Sequence, residues 1–82
     1  MRVAVDISLY PLQEDLIPPI RDVIERLRGN PDLDVVTNPM STQIRGEYDD
    51  VMALLQPEIK TTFEALPKAV FVIKMLNNPI AD

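Results

Sequence analysis

Residues 38–49, Asn38-Pro39-Met40-Ser41-Thr42-Gln43-Ile44-Arg45-Gly46-Glu47-Tyr48-Asp49, join two extended runs and then open a helix. Asn38-Pro39 is a turn dipeptide, and beyond it Ser41, Gln43, Arg45 and Glu47 alternate with Thr42, Ile44 and Gly46. Period-2 geometry gives this strand one polar face, on which the Ser41 hydroxyl, the Gln43 amide and the Arg45 guanidinium point the same way. A row of hydrogen-bonding groups of this kind suits a ligand. Hydroxyl, amide, thioether, guanidinium, phenol and carboxylate groups all fall within the stretch, whereas its flanks carry mainly core periodicity. The competing reading is a solvated sheet face, which antiparallel sheets commonly keep.

Upstream, Leu33 to Thr37 is short and rich in β-branched residues, and it pairs with the polar strand as a hairpin across Asn38-Pro39. Downstream, Asp49 and Asp50 put carboxylates at a helix N-terminus. Val51, Leu55, Ile59, Phe63 and Leu66 then form a stripe that predicts a helix over about 49–66. Pro57 lies inside that helix but off the stripe, which predicts a kink and not two helices.

Further out, Arg2 to Tyr10 alternates with Val3, Val5, Ile7 and Leu9 to one side, a half-buried strand ended by Pro11. Pro18-Pro19 can sit only at the start of a helix, and Ile20, Val23, Ile24 and Leu27 carry its apolar stripe to about Arg28. Gly29 is the expected left-handed cap and Asn30-Pro31 the stop. Lys68 to Leu76 is the last strand. Its two alternating sets, Ala69/Phe71/Ile73/Met75 and Val70/Val72/Leu76, are both apolar apart from Lys74, which predicts burial on both faces. Asn77-Asn78-Pro79 ends it and leaves a tail of Ile80, Ala81 and Asp82. The order βαββαβ predicts an α+β, ferredoxin-like fold: a four-stranded antiparallel sheet with two helices on one face.

The 82 residues read as one domain, 1–82, too small to bury more than about 60% of its unfolded surface, so self-association is an expected added constraint. The chain has no Cys and no His, which removes disulfides, thiolate or imidazole metal sites and a neutral-pH histidine base. No metal site and no cofactor are expected. Its net charge of -5 disfavours nucleic acid and suits a cationic ligand. No apolar run reaches the roughly 20 residues of a membrane span, and Arg2 and Asp6 interrupt the N-terminus too early for a signal peptide. The expectation is a cytoplasmic protein with no membrane partner. No pair of carboxylates is spaced for acid/base catalysis, so no catalytic residue is assigned and the protein is read as a non-enzyme.

With Val3, Val5, Ile7 and Leu9 turned to the helices, Ala4, Asp6, Ser8 and Tyr10 share the open face with Ser41, Gln43, Arg45, Val70 and Val72. Outward Val70 and Val72 beside a sheet edge predict a homodimer, or a higher homo-oligomer, through the sheets. The alternative is that the tail around Ile80 folds back over them.

Ser8-Leu9-Tyr10-Pro11-Leu12, then Met40-Ser41-Thr42-Gln43, then Gly46-Glu47-Tyr48-Asp49, in a βαββαβ chain, resembles the YkoF-like thiamin- and hydroxymethylpyrimidine-binding family over nearly its whole length. The resemblance implies a non-enzymatic carrier or sensor for a thiamin-type pyrimidine. Longer members repeat the fold within one chain, so a single copy implies a site completed by association of two chains. A Gln43 amide matches the aminopyrimidine edge, and the Ser8, Ser41 and Thr42 hydroxyls serve either hydrogen-bonding role. Tyr10 or Tyr48 offers a cation–π face to the thiazolium, with Asp6, Glu47 or Asp49 adding charge complementarity, and Met40 packs on the pyrimidine. Against these stand plainer roles: Tyr48 and Asp49 at the start of the second helix, Met40 in the core, and Asp6 paired with Arg45. For Asp49 the capping role is preferred.

Three other readings compete. An acylphosphatase-type enzyme shares the element order but needs an anion-cradling Gly-rich loop after the first strand, where Pro11-Leu12-Gln13-Glu14-Asp15 is acidic and lacks glycine. An RNA-binding sheet wants exposed aromatics and basic residues, against which stands Asp6. A protein–protein interaction module using the open sheet face is the strongest alternative, carried by Val70 and Val72.

Overall fold

A computed structural model describes residues 1–79. The elements are β1 (Arg2–Pro11), α1 (Ile17–Leu27), β2 (Asp34–Thr37), β3 (Thr42–Glu47), α2 (Tyr48–Ala65) and β4 (Ala69–Asn77). The strands form one antiparallel sheet in the order β2-β3-β1-β4, so the βαββαβ chain has the α+β, ferredoxin-like fold that its sequence predicts.

Register fixes the two faces. Val5 pairs with Ile44 on one side and Met75 on the other, and Ile7 with Thr42 and Ile73. Directly paired residues share a face, so these belong with Val3 and Leu9, which are buried in one core with Val23 and Leu27 of α1 and Val51 and Leu55 of α2. The opposite face carries Ala4 beside Arg45 and Leu76, Asp6 beside Gln43 and Lys74, Ser8 beside Val72, and Tyr10 beside Val70. This is the open face expected from the alternation.

Three local expectations change. First, β4 is not buried on both faces in the single chain. It is an edge strand, and Val70 (45%), Val72 (46%) and Leu76 (57%) are exposed on the open face while Ile73 and Met75 are exposed on the other. Only Ala69 and Phe71 pack partly against the core, because the helices sit over β1 and β3 and leave the edge uncovered. The tail proposed as a cover lies outside the described residues.

Second, Gly29 is not left-handed: no glycine has a positive φ, and Asn78 after β4 is the described residue that has one, at 52°. The last turn of α1 instead tightens, the Gly29 N–H donating to the Arg26 carbonyl at 3.2 Å. Asn30 then turns the chain by accepting the Asp32 N–H on its side-chain oxygen (2.9 Å) and the Leu33 N–H on its carbonyl (3.3 Å).

Third, the fully buried positions of α2 are Val51, Leu55, Glu58 and Thr62; Ile59 and Leu66 of the expected stripe pack only partly against the core, and Phe63 is exposed. Phe63 turns outward against Phe71 of β4, the ring centroids 5.6 Å apart. The inward places go to Glu58 and Thr62 because Arg26 of α1 reaches them: its Nε donates to both Glu58 carboxylate oxygens at 2.9 Å. The same bond holds the Arg26 guanidinium above its ordinary pKa, partly opposed by burial, so it stays charged. Helix α2 runs unbroken through Pro57. Among the described residues no helix is long and apolar enough to cross a membrane.

Candidate functional site

The hairpin loop between β2 and β3 is built by Asn38. Its side-chain oxygen accepts the backbone N–H groups of Met40 (2.8 Å) and Ser41 (3.0 Å), while its own N–H donates to the Ser41 carbonyl at 3.0 Å. An asparagine before a proline satisfies the loop in this way without help from the rest of the chain. Its side-chain NH2 is not used in the turn. Across the last pair of the hairpin the Thr37 and Thr42 hydroxyls lie 3.1 Å apart.

This loop closes one end of a cavity of about 420 Å³ between α1 and the sheet. Strand β3 stops pairing at Thr42 opposite Ile7 while β1 runs on to Pro11, so the cavity passes the end of β3. Ile7 and Leu9 line it from the helix side and Ser8 and Tyr10 from the open-face side, the loop supplies Asn38, Met40 and Ser41, and α1 forms the opposite wall with its apolar stripe. Ile20 and Ile24 of that stripe are only half-buried, because part of their surface borders the cavity instead of packed side chains. The volume falls in the range of small-molecule sites. No Asp, Glu, Lys or Arg lines it, so every polar group facing it is a hydroxyl, an amide or backbone. The Ser8 hydroxyl reaches the Met40 carbonyl only at 3.5 Å, too long to occupy it fully. Met40 (85%) and Tyr10 (53%) are exposed at the rim.

The residues singled out in the sequence divide into three places. Ser8, Tyr10, Met40, Ser41 and Thr42 line the cavity. Gln43 lies apart, on the open face, in a shallower hollow of about 320 Å³ that it shares with Asp6, Arg45 and Lys74. Glu47 and Tyr48 are at the far end of β3, on the order of 16 Å along the strand from Thr42 at about 3.3 Å per residue. There Glu47 Oε2 sits 3.1 Å from the N-terminal ammonium, and the Tyr48 N–H donates to the Met1 carbonyl at 2.9 Å.

Asp6, Glu47 and Asp49, considered for charge complementarity, are likewise absent from the cavity lining. Conversely, the α1 wall and Asn38 belong to the lining although the sequence marked them as core stripe and turn. The pairing of an unspent asparagine amide with the neighbouring serine was the available signal. No group of three or more acidic, His or Cys residues placed to hold a metal ion occurs among the described residues.

Comparison with known proteins accords with this architecture. A hypothetical protein of Methanocaldococcus jannascii superimposes with a TM-score of 0.82 at 22% identity, over 99% of this chain and 84% of that one. A Streptococcus pneumoniae protein does so at 0.79 and 17% identity, over 100% and 92%. A Thermotoga maritima protein, provisionally described as acting in thiamine biosynthesis or salvage, does so at 0.67 and 20% identity, over 92% and 82%. At these identities the likeness is one of fold. No curated protein matches the chain. The family model described as thiamine-binding protein matches residues 5–79, nearly the whole length, and the chain belongs to that thiamine-binding, YkoF-like family.

Proposed function

We propose that the chain binds the aminopyrimidine ring of thiamin or of hydroxymethylpyrimidine in the cavity under α1, without catalysing a reaction, and so serves thiamin transport, salvage or sensing in the cytoplasm. The observation that carries this reading is the charge-free lining beside unspent hydroxyl and amide groups. An aminopyrimidine is flat and uncharged at neutral pH, and it carries a donor next to an acceptor. Ser8, Ser41 and the Asn38 amide supply both complements, and Met40 supplies a polarisable surface for the ring face.

A phosphate ester has no cation in the cavity to meet it, and burying that charge unpaired is costly. The thiazolium of thiamin is better left at the mouth, where Tyr10 offers a cation–π face worth roughly 0.5 to 2 kcal/mol. A homodimer or higher homo-oligomer is part of the proposal: exposed Val70, Val72 and Leu76 form an apolar strip, interrupted by Lys74 opposite Asp6, that a second copy would cover. The same strip supports the second reading, an interaction module whose sheet binds a different protein.

Titration calorimetry with hydroxymethylpyrimidine and thiamin tests the assignment. Both are expected to bind, and Ser41→Ala is expected to weaken them by about 5- to 150-fold, the equivalent of 1 to 3 kcal/mol for an unpaired buried polar group. Gln43→Ala separates the cavity from the open-face hollow. With the ligand in the cavity its affinity changes by less than roughly 0.5 kcal/mol, as for an ordinary surface substitution. No binding of either compound at millimolar concentration sinks the ligand assignment and leaves the interaction module.

A further inference from the structure

Cavities within a small fold raise a mechanical question: what holds the wall off the floor. Helix α1 faces the sheet with Ile20, Val23, Ile24 and Leu27, all of which border the cavity. Only Val23 and Leu27 are fully buried, so packing against the sheet fixes the C-terminal part of the helix more than the turn that carries Ile20. Its other attachment is lateral. Arg26 lies between Val23 and Leu27 in sequence and points to α2, where its Nη2 is 2.8 Å from Glu58 Oε1 and donates to the Thr62 hydroxyl at 3.5 Å. The Thr62 hydroxyl in turn donates to Glu58 Oε1 at 3.3 Å. Glu58 and Thr62 are 5% and 2% exposed, and no buried side-chain nitrogen or oxygen among the described residues lacks a partner.

Glu58 is buried but the Arg26 side chain is 41% exposed, so the pair is half-solvated and a modest source of stability. Desolvation of the Glu58 carboxylate offsets much of the attraction, and apolar replacements of similar volume at such places are often neutral or stabilising. Helix α2 uses such apolar residues at Val51 and Leu55, then changes to Glu58 and Thr62 at the two inward positions opposite α1. What the change provides is direction. A guanidinium fork gripping a carboxylate through several hydrogen bonds fixes distance and angle more narrowly than an apolar contact, which slides.

We infer that the Arg26–Glu58–Thr62 clamp sets the position of α1 and hence the width of the cavity, making Arg26 and Glu58 positioning residues for the ligand and not principal supports of the fold. This rests on the cavity being the ligand site. The clamp touches no part of the cavity itself. It acts through the helix, whose neighbouring residues are the wall.

The test pairs Arg26→Met with Glu58→Leu, which keeps volume and removes direction, and adds Arg26→Lys, which keeps charge and removes the fork. For the double variant the thermal midpoint is expected to hold or rise, while hydroxymethylpyrimidine affinity falls at least tenfold. In the ligand-free double variant the δ-methyl NMR signals of Ile20 and Ile24 are expected to broaden by exchange, reporting a loosened wall. Arg26→Lys should fold normally and give an intermediate loss of affinity. Parallel loss of stability and affinity, or failure of the double variant to fold, makes the clamp a support and overturns the inference. So does wild-type affinity with sharp methyl signals. If the wild-type protein binds no pyrimidine, the ligand assignment fails, whereas the methyl signals still decide whether the clamp positions the helix.

Discussion

On the core side of β3, Thr42 and Ile44 are followed by Gly46, and a Cβ built there would drive into Cδ2 of Leu33 and meet Cγ2 of Val51 at 3.7 Å. Its φ is not positive, so the requirement is for space and not for an unusual backbone. Leu33, just ahead of β2, is 8% exposed and fills the place that a side chain on Gly46 would take. Gly46→Ala is therefore expected to destabilise the protein by about 1 to 3 kcal/mol, the usual cost of overpacking. Urea denaturation measures it. Adding Leu33→Ala should restore part of that loss, giving a double-mutant total below the sum of the singles, as for neighbours that share one volume. Additive losses would mean that Gly46 is needed for another reason.

Within the helices, Pro57 sits at an interior, exposed position of α2 and leaves the Ala53 carbonyl without its helical donor. Pro57→Ala is expected to raise stability, by up to about 3 kcal/mol on the helix-propensity scale, seen as a higher thermal midpoint. An unchanged midpoint would show that the helix has absorbed the proline at no cost. The same helix marks where the sequence stops being legible. Val51 and Leu55 were readable from spacing, as were the alternating β1 and β3 and hence the sheet order, because apolar periodicity reports which face meets a core. Glu58 and Thr62 were not, since their burial depends on Arg26, some 32 residues away in the chain. A local pattern scores a glutamate as outward. The stripe of α1 was found correctly, yet spacing alone does not tell a packed core from the wall of a cavity. Ser8, Tyr10 and the 40–42 segment were recognisable as site candidates by chemistry, but Gln43, on the same open face, pairs with Asp6 farther from the loop and lines the other hollow.

Across the assembled sheet the uncovered strip lies on β4, where Val70, Val72 and Leu76 face one way and Ile73 and Met75 the other. We expect light scattering at micromolar concentration to give a multiple of the 9.3 kDa chain mass, and Val72→Lys to shift it toward a single chain. A single-chain mass for the wild type up to high micromolar concentration would exclude self-association through this surface. The strand order carries a different consequence, one of timing. Strand β1 lies between β3 and β4 and pairs with β3 over Arg2 to Ile7 and with β4 over Val3 to Pro11, Val3 meeting Gly46 on one side and Asn77 on the other. During synthesis β1 therefore leaves the ribosome ahead of the other five elements described and waits for β4, the last of the six, before its second edge is closed. Such distant pairings slow folding, and until β4 arrives the nascent chain presents the bare edge of β1 to whatever chaperone or neighbouring chain is near.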